Sequence, residues 1–147
     1  MERKSISYEY VSFIVDLLEQ RVDRDYDFIV GVGRGGLIPA TMLAYKLKKT
    51  VRAVGIKTYD NMSQTGDYIL YQDIDIPKDA SDKKILVVDD ICDTGNTFKI
   101  LKELYRDKFN DINVEFASLF TKDKSSHLVD YYGLSVADSI WLDFPWE

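Results

Sequence analysis

The sequence predicts one α/β domain over residues 1–147, a mostly parallel, twisted sheet flanked by helices. Two observations predict it. Apolar runs of strand length recur at residues 27–33, 51–57, 83–88 and 112–120, and stretches of helical periodicity lie between them. Two of these runs stop abruptly, at Arg34-Gly35-Gly36 and at Asp89-Asp90, as buried strands that deliver residues to a sheet edge do.

Each element has a local reason. Ser7 can cap a first helix, with Glu9 in its first turn and Val11, Ile14, Leu17, Leu18 and Val22 on one face. Residues 27–33 form a strand that ends in the turn Arg34-Gly35-Gly36, and Pro39 suits the first turn of a second helix carrying Met42, Leu43 and Leu47. Residues 51–57 are a strand, 58–67 a polar and mobile loop with Gly66, and 68–74 an alternating strand of a small flap. Residues 83–88 form a strong strand stopping at Asp89-Asp90. A turn over 91–96 follows, and Thr97 opens a helix with Phe98, Leu101, Leu104 and Tyr105. Strands at 112–120 and 136–142 complete the set. Ligands of such sheets bind at the carboxyl ends of strands. The ends to inspect are therefore Arg34-Gly35-Gly36, residues 89–97 and the segment after Phe120.

Composition narrows the function classes. Hydrophobic residues make up 46% and charged residues 30%, enough for a real core. No apolar run approaches the roughly 20 residues that span a bilayer, and the polar start Met1-Glu2-Arg3-Lys4-Ser5 is not a secretory signal. No membrane partner is expected. Cys92 is the only cysteine, so no internal disulfide can form, and a cytoplasmic location is expected. A net charge of −6 argues against nucleic acid as a partner. It leaves room for a small phosphorylated ligand held by backbone N–H groups.

The segment Ile85-Leu86-Val87-Val88-Asp89-Asp90-Ile91-Cys92-Asp93-Thr94-Gly95-Asn96-Thr97 is the most informative. A buried strand delivers two carboxylates, and a tight turn then enters a helix N-terminus. That end offers unpaired N–H groups and partial positive charge, Thr94 and Thr97 add hydroxyls, and Gly95 admits close approach: a phosphomonoester cradle. Asp89 and Asp90 suit vicinal hydroxyls and a hard cation. A phosphate site beside a diol site describes a ribose 5-phosphate. A receiver domain starts similarly, but too little chain follows Asp90 to complete one.

This segment resembles the signature of the type I phosphoribosyltransferases, which bind phosphoribosyl pyrophosphate (PRPP). The resemblance implies their fold, with a flexible loop and a small C-terminal hood. It implies that Asp89 and Asp90 bind the ribose hydroxyls and organise Mg²⁺. Asp93, Thr94, Gly95, Asn96 and Thr97 would hold the 5′-phosphate, with Asp93 acting as acid or base near N7 of a purine. The turn at Arg34-Gly35 fails the dinucleotide fingerprint, because Ile38 stands where a third small residue is required. In the resembled family this turn binds pyrophosphate, often through a cis peptide, which the resemblance puts at Arg34-Gly35. Bacterial xanthine-guanine enzymes carry a loop arginine near the position of Thr65, and Lys57 is expected to supply that charge here.

Leu119-Phe120-Thr121-Lys122 and Trp141-Leu142-Asp143-Phe144-Pro145-Trp146-Glu147 resemble the xanthine-guanine and hypoxanthine phosphoribosyltransferases. The resemblance implies that Lys122 donates to purine O6 and N7, Trp141 stacks on the ring, and the Leu142 backbone reads the N1 and C2 edge. It implies PRPP and a 6-oxopurine as substrates and a homodimer or homotetramer as the assembly. Asp143 is expected beside the C2 edge, where a carboxylate favours guanine over xanthine. Cys92 reads as a packing residue and His127 as a surface residue. Two other functions compete: a PRPP-binding regulator without catalysis, which the acidic charge argues against, and transfer to another nucleobase, which Lys122 and Trp141 argue against.

Overall fold

Ser7 Oγ accepts the Tyr10 N–H at 3.0 Å and so starts the helix α1, Tyr8–Arg21, in the computed structural model, which describes residues 1–58, 68–74, 83–108 and 112–147. Val11, Ile14, Val15 and Leu18 form its buried stripe. The other helices are α2, Gly33–Leu47, and α3, Asn96–Lys108. The strands are β1 Glu2–Ser5, β2 Phe28–Val32, β3 Thr50–Thr58, β4 Tyr68–Gln72, β5 Lys84–Cys92, β6 Asn113–Lys122, β7 Tyr131–Val136 and β8 Ile140–Asp143.

Six strands form one sheet in the order β4-β3-β2-β5-β6-β7. All its pairs are parallel except β3 with β4. Strand order reverses between β2 and β5, which makes the crevice beyond their carboxyl ends the switch point. Alternate residues of the continuous apolar strands serve two cores. Ile29, Leu86, Val88, Ala117 and Leu119 pack under α1 and α2, while Phe28, Val30, Ile85, Val87 and Phe116 pack under α3. Strands β1 and β8 form a separate parallel pair.

Several boundaries differ from the sequence reading. Gly33 makes the bend after β2 by itself, at φ 57°, so the chain enters α2 at once. Arg34, Gly35 and Gly36 are therefore its first turn, and Pro39 lies well inside the helix. Strand β5 does not stop at Asp89-Asp90. Its ladder with β6 continues through Asp89↔Ser118, Ile91↔Phe120 and Cys92↔Thr121. The single strand expected over residues 136–142 is replaced by β7 and β8, with a turn between them. The mobile loop expected over residues 58–67 falls outside the described residues, apart from Thr58 at the end of β3.

Candidate active site at the switch point

The first turn of α2 lies directly against the end of β5. A methyl added at Gly36 would stand 2.9 Å from the Asp89 Cα, and one at Gly35 would stand 2.9 Å from the Asp90 Cγ. Only glycine allows this approach, so the Arg34-Gly35 turn and the acidic pair form one surface. Asp89 Oδ1 accepts the Asp90 N–H at 2.8 Å, and Asp90 Oδ1 accepts the Ile91 N–H at 2.7 Å. Burial pushes the Asp89 carboxyl well above the usual carboxylate range, and the charge of Asp90 adds to this. Burial also raises Asp90; Glu147 adds to that shift, and hydrogen bonds with Asp89 and Ile91 oppose it. Asp89 and Asp90 are thus two adjacent, half-buried carboxylates, each with a second oxygen outside these bonds. Among the described residues no group of three or more His, Cys, Asp or Glu side chains is placed to hold a metal alone. This donor set fits Mg²⁺, which takes few protein oxygens and completes its shell from substrate and water.

Next comes the loop. Gly95 takes φ 82°, and a methyl there would overlap Leu128. Thr94 Oγ1 accepts the Asn96 N–H at 3.2 Å, and Gly95 O accepts the Lys99 N–H at 3.0 Å as α3 begins. One cleft runs from Asp89 past Asp93, Thr94, Gly95 and Asn96 to Thr97. Ser125, in a 3₁₀ turn over Asp123–Leu128, braces this loop by donating to the Asp93 carbonyl. Thr121 Oγ1 donates to the Cys92 carbonyl at 3.4 Å. Sequence reading missed both braces, which reach the loop only through β6. Cys92 is buried, and burial pushes its thiol to about 11, so it is an unreactive packing residue. His127 is exposed.

A second cleft is lined by Asp90, Ile91, Asp93, Lys122, Trp141, Leu142, Phe144 and Glu147. Asp93 thus borders both clefts. Lys122 is only 4% exposed, and its ammonium donates to the carbonyls of Ile140 and, at 3.4 Å, Asp138. Those two bonds pin the approach to β8 and leave one ammonium proton over. Trp141 is 45% exposed and Leu142 is buried. Glu147, the acid that ends the Trp141–Glu147 segment and to which the sequence reading gave no role, also accepts the Phe144 N–H at 3.2 Å. Asp143 is not in this cleft. Its carboxylate is turned to Arg3 on β1.

Arg34 lies apart from these clefts, in a third one with Gly33, Leu37, Gly55 and Tyr71. Lys57 is exposed on β3 and lines neither the acid–loop cleft nor the Lys122 cleft. The cis bond expected at Arg34-Gly35 is absent: every described peptide bond is trans, and the bend after β2 is made at Gly33.

A doubly wound domain with an acidic pair and an N–H-lined loop at its switch point is an arrangement suited to a phosphorylated sugar. The chain matches the model of the phosphoribosyl transferase domain over residues 9–147 and belongs to that family. It is 36% identical over 132 residues to a xanthine-guanine phosphoribosyltransferase of Chromohalobacter salexigens, covering 89% of this chain and 75% of that protein. A purine phosphoribosyltransferase of Pyrococcus horikoshii superposes with a TM-score of 0.81 at 29% identity, covering 100% of this chain and 95% of that one. The Helicobacter pylori xanthine-guanine-hypoxanthine phosphoribosyltransferase gives 0.83 at 26% identity, covering 99% and 94%.

Proposed function

We propose that this enzyme transfers the 5-phosphoribosyl group of PRPP to a 6-oxopurine base, guanine, xanthine or hypoxanthine, releasing pyrophosphate and a purine nucleoside monophosphate. The observation that carries this reading is the meeting of two clefts at Asp93. One has the acids and N–H groups that a ribose phosphate needs; the other has a buried lysine and an indole beside it.

The roles follow from what each group can do. The N–H groups and hydroxyls of residues 93–97 hold the 5′-phosphate at the N-terminus of α3. Asp89 and Asp90 accept from the ribose hydroxyls and hold Mg²⁺, which supplies charge neutralisation for the departing pyrophosphate. We assign the pyrophosphate to the N–H groups of the Arg34-Gly35 turn, which packs against the acidic pair, with the Arg34 guanidinium reaching over from its neighbouring cleft. Lys57 contributes charge from β3, at longer range. Lys122 offers its remaining proton to purine O6 and N7, Trp141 stacks on the ring, and the Leu142 backbone meets the N1 and C2 edge. A ring nitrogen then attacks C1′ as the bond to pyrophosphate breaks with oxocarbenium character, and Asp93 accepts the proton that the base loses.

No described helix is long and apolar enough to cross a membrane, and the setting we propose is cytoplasmic. The assembly we propose is a homodimer or homotetramer.

Asp93→Asn tests the proton role. It is expected to lower kcat by about 100-fold or more while changing the KM for PRPP far less. Chelation of divalent metal should abolish turnover and Mg²⁺ restore it. A kcat unaffected by Asp93→Asn would remove Asp93 from the chemistry.

A further inference from the structure

Strands β1 and β8 come from opposite ends of the chain and, among the described residues, pair only with each other, through Glu2↔Ile140, Arg3↔Trp141, Lys4↔Leu142 and Ser5↔Asp143. An isolated two-stranded ribbon is marginal by itself, and every residue of β1 is exposed. Side-chain contacts across the ribbon therefore weigh heavily on where β8 stands. The main one is Arg3. Its Nε donates to Asp143 Oδ2 at 3.1 Å and its terminal nitrogen to Asp143 Oδ1 at 2.5 Å. Its guanidinium carbon lies 5.9 Å from the centre of the Trp141 ring. The Lys122 cleft is lined by Trp141 and not by Arg3. Trp141 therefore borders the cleft and at the same time lies against the guanidinium, which is outside it.

We propose that Arg3 is a positioning residue for the base-binding wall: its ring contact holds Trp141 at the cleft and, by pairing with Asp143, it keeps a bare carboxylate away from the C2 edge of the base. This rests on the reading of Trp141 as the stacking residue. Lys122 fixes the start of the same strand through the Ile140 carbonyl, so β8 is held from β6 on one side and from β1 on the other. Arg3 thereby supports the substrate site without touching substrate. The Arg3–Asp143 pair also changes the expectation for Asp143, whose charge is compensated as long as Arg3 is present.

The test uses the full chain with Arg3→Ala, Arg3→Lys, Asp143→Asn and the Arg3→Ala/Asp143→Asn pair. Kinetics are measured with guanine, hypoxanthine and xanthine, and Trp141 emission is read in a Trp146→Phe background. Arg3→Ala should raise the KM for the base about three- to tenfold, with kcat and the KM for PRPP within about twofold. Arg3→Lys should recover part of this, since an ammonium keeps the charge but not the fork. Xanthine, which readily loses a proton, should suffer more than guanine in Arg3→Ala. Adding Asp143→Asn should erase that difference. Trp141 emission should shift to the red in Arg3→Ala without any ligand. A uniform fall in kcat with unchanged base KM, or unchanged Trp141 emission, would overturn the proposal. Absence of nucleotide formation by the unmodified protein would instead be a failure of the proposed function, and the emission comparison would then decide the Arg3 contact alone.

Discussion

Asp89→Asn is expected to lower kcat/KM for PRPP by about two to three orders of magnitude and, at the same time, to stabilise the ligand-free protein at neutral pH. The two effects have one cause. Asp89 lies desolvated beside Asp90, and its carboxyl is held well above the usual range by burial first and by that neighbour second. A carboxyl raised by folding binds its proton more tightly folded than unfolded. Its favourable contribution is complete below the unfolded value and is lost as pH rises through the raised folded value. Above that, the ionised pair costs the fold, and an amide of the same shape removes the cost. The Tm gain of Asp89→Asn, measured in chelator, should therefore be larger at pH 8 than at pH 5. A variant that lost activity and also lost stability at both pH values would show that Asp89 is structural.

Gly36→Ala is the second large effect. The added methyl would stand 2.9 Å from the Asp89 Cα and 3.2 Å from its Oδ1. The Cα cannot rotate away, so α2 must retreat from β5. We expect a loss of about 1–3 kcal/mol in stability, read as a Tm several degrees lower, and at least a tenfold fall in kcat/KM as the turn and the acids separate. Gly35→Ala should be milder in stability, because its methyl meets the Asp90 carboxylate, which can turn. Equal Tm values for Gly36→Ala and the unmodified chain would contradict this close packing.

Local signals made much of this legible. Ser7 announces α1 because a cap acts over three residues, and the runs 27–33 and 83–88 announce buried strands because both their faces are apolar. The acids and the 93–97 loop are contiguous, so one stretch of sequence holds them. What stayed hidden depends on distant partners. Nothing in Glu2–Ser5 suggests a strand, since β1 exists only through β8, some 140 residues away. Strand β7 mixes tyrosines, glycine and serine at a sheet edge, where burial writes no clear pattern. The run of β5 past Val88 depends on β6 lying beside it. Ser125 against the 93–97 loop and Arg3 beside Trp141 are likewise placed by topology rather than by spacing. The early start of α2 turned on a single backbone angle at Gly33.

The most direct measurement follows nucleotide and pyrophosphate formation from PRPP and Mg²⁺ with guanine, hypoxanthine and xanthine in turn. Purine transfer predicts one nucleoside monophosphate and one pyrophosphate per PRPP consumed with at least one of these bases, and none when the base is omitted. PRPP binding with no product from any of the three would contradict it.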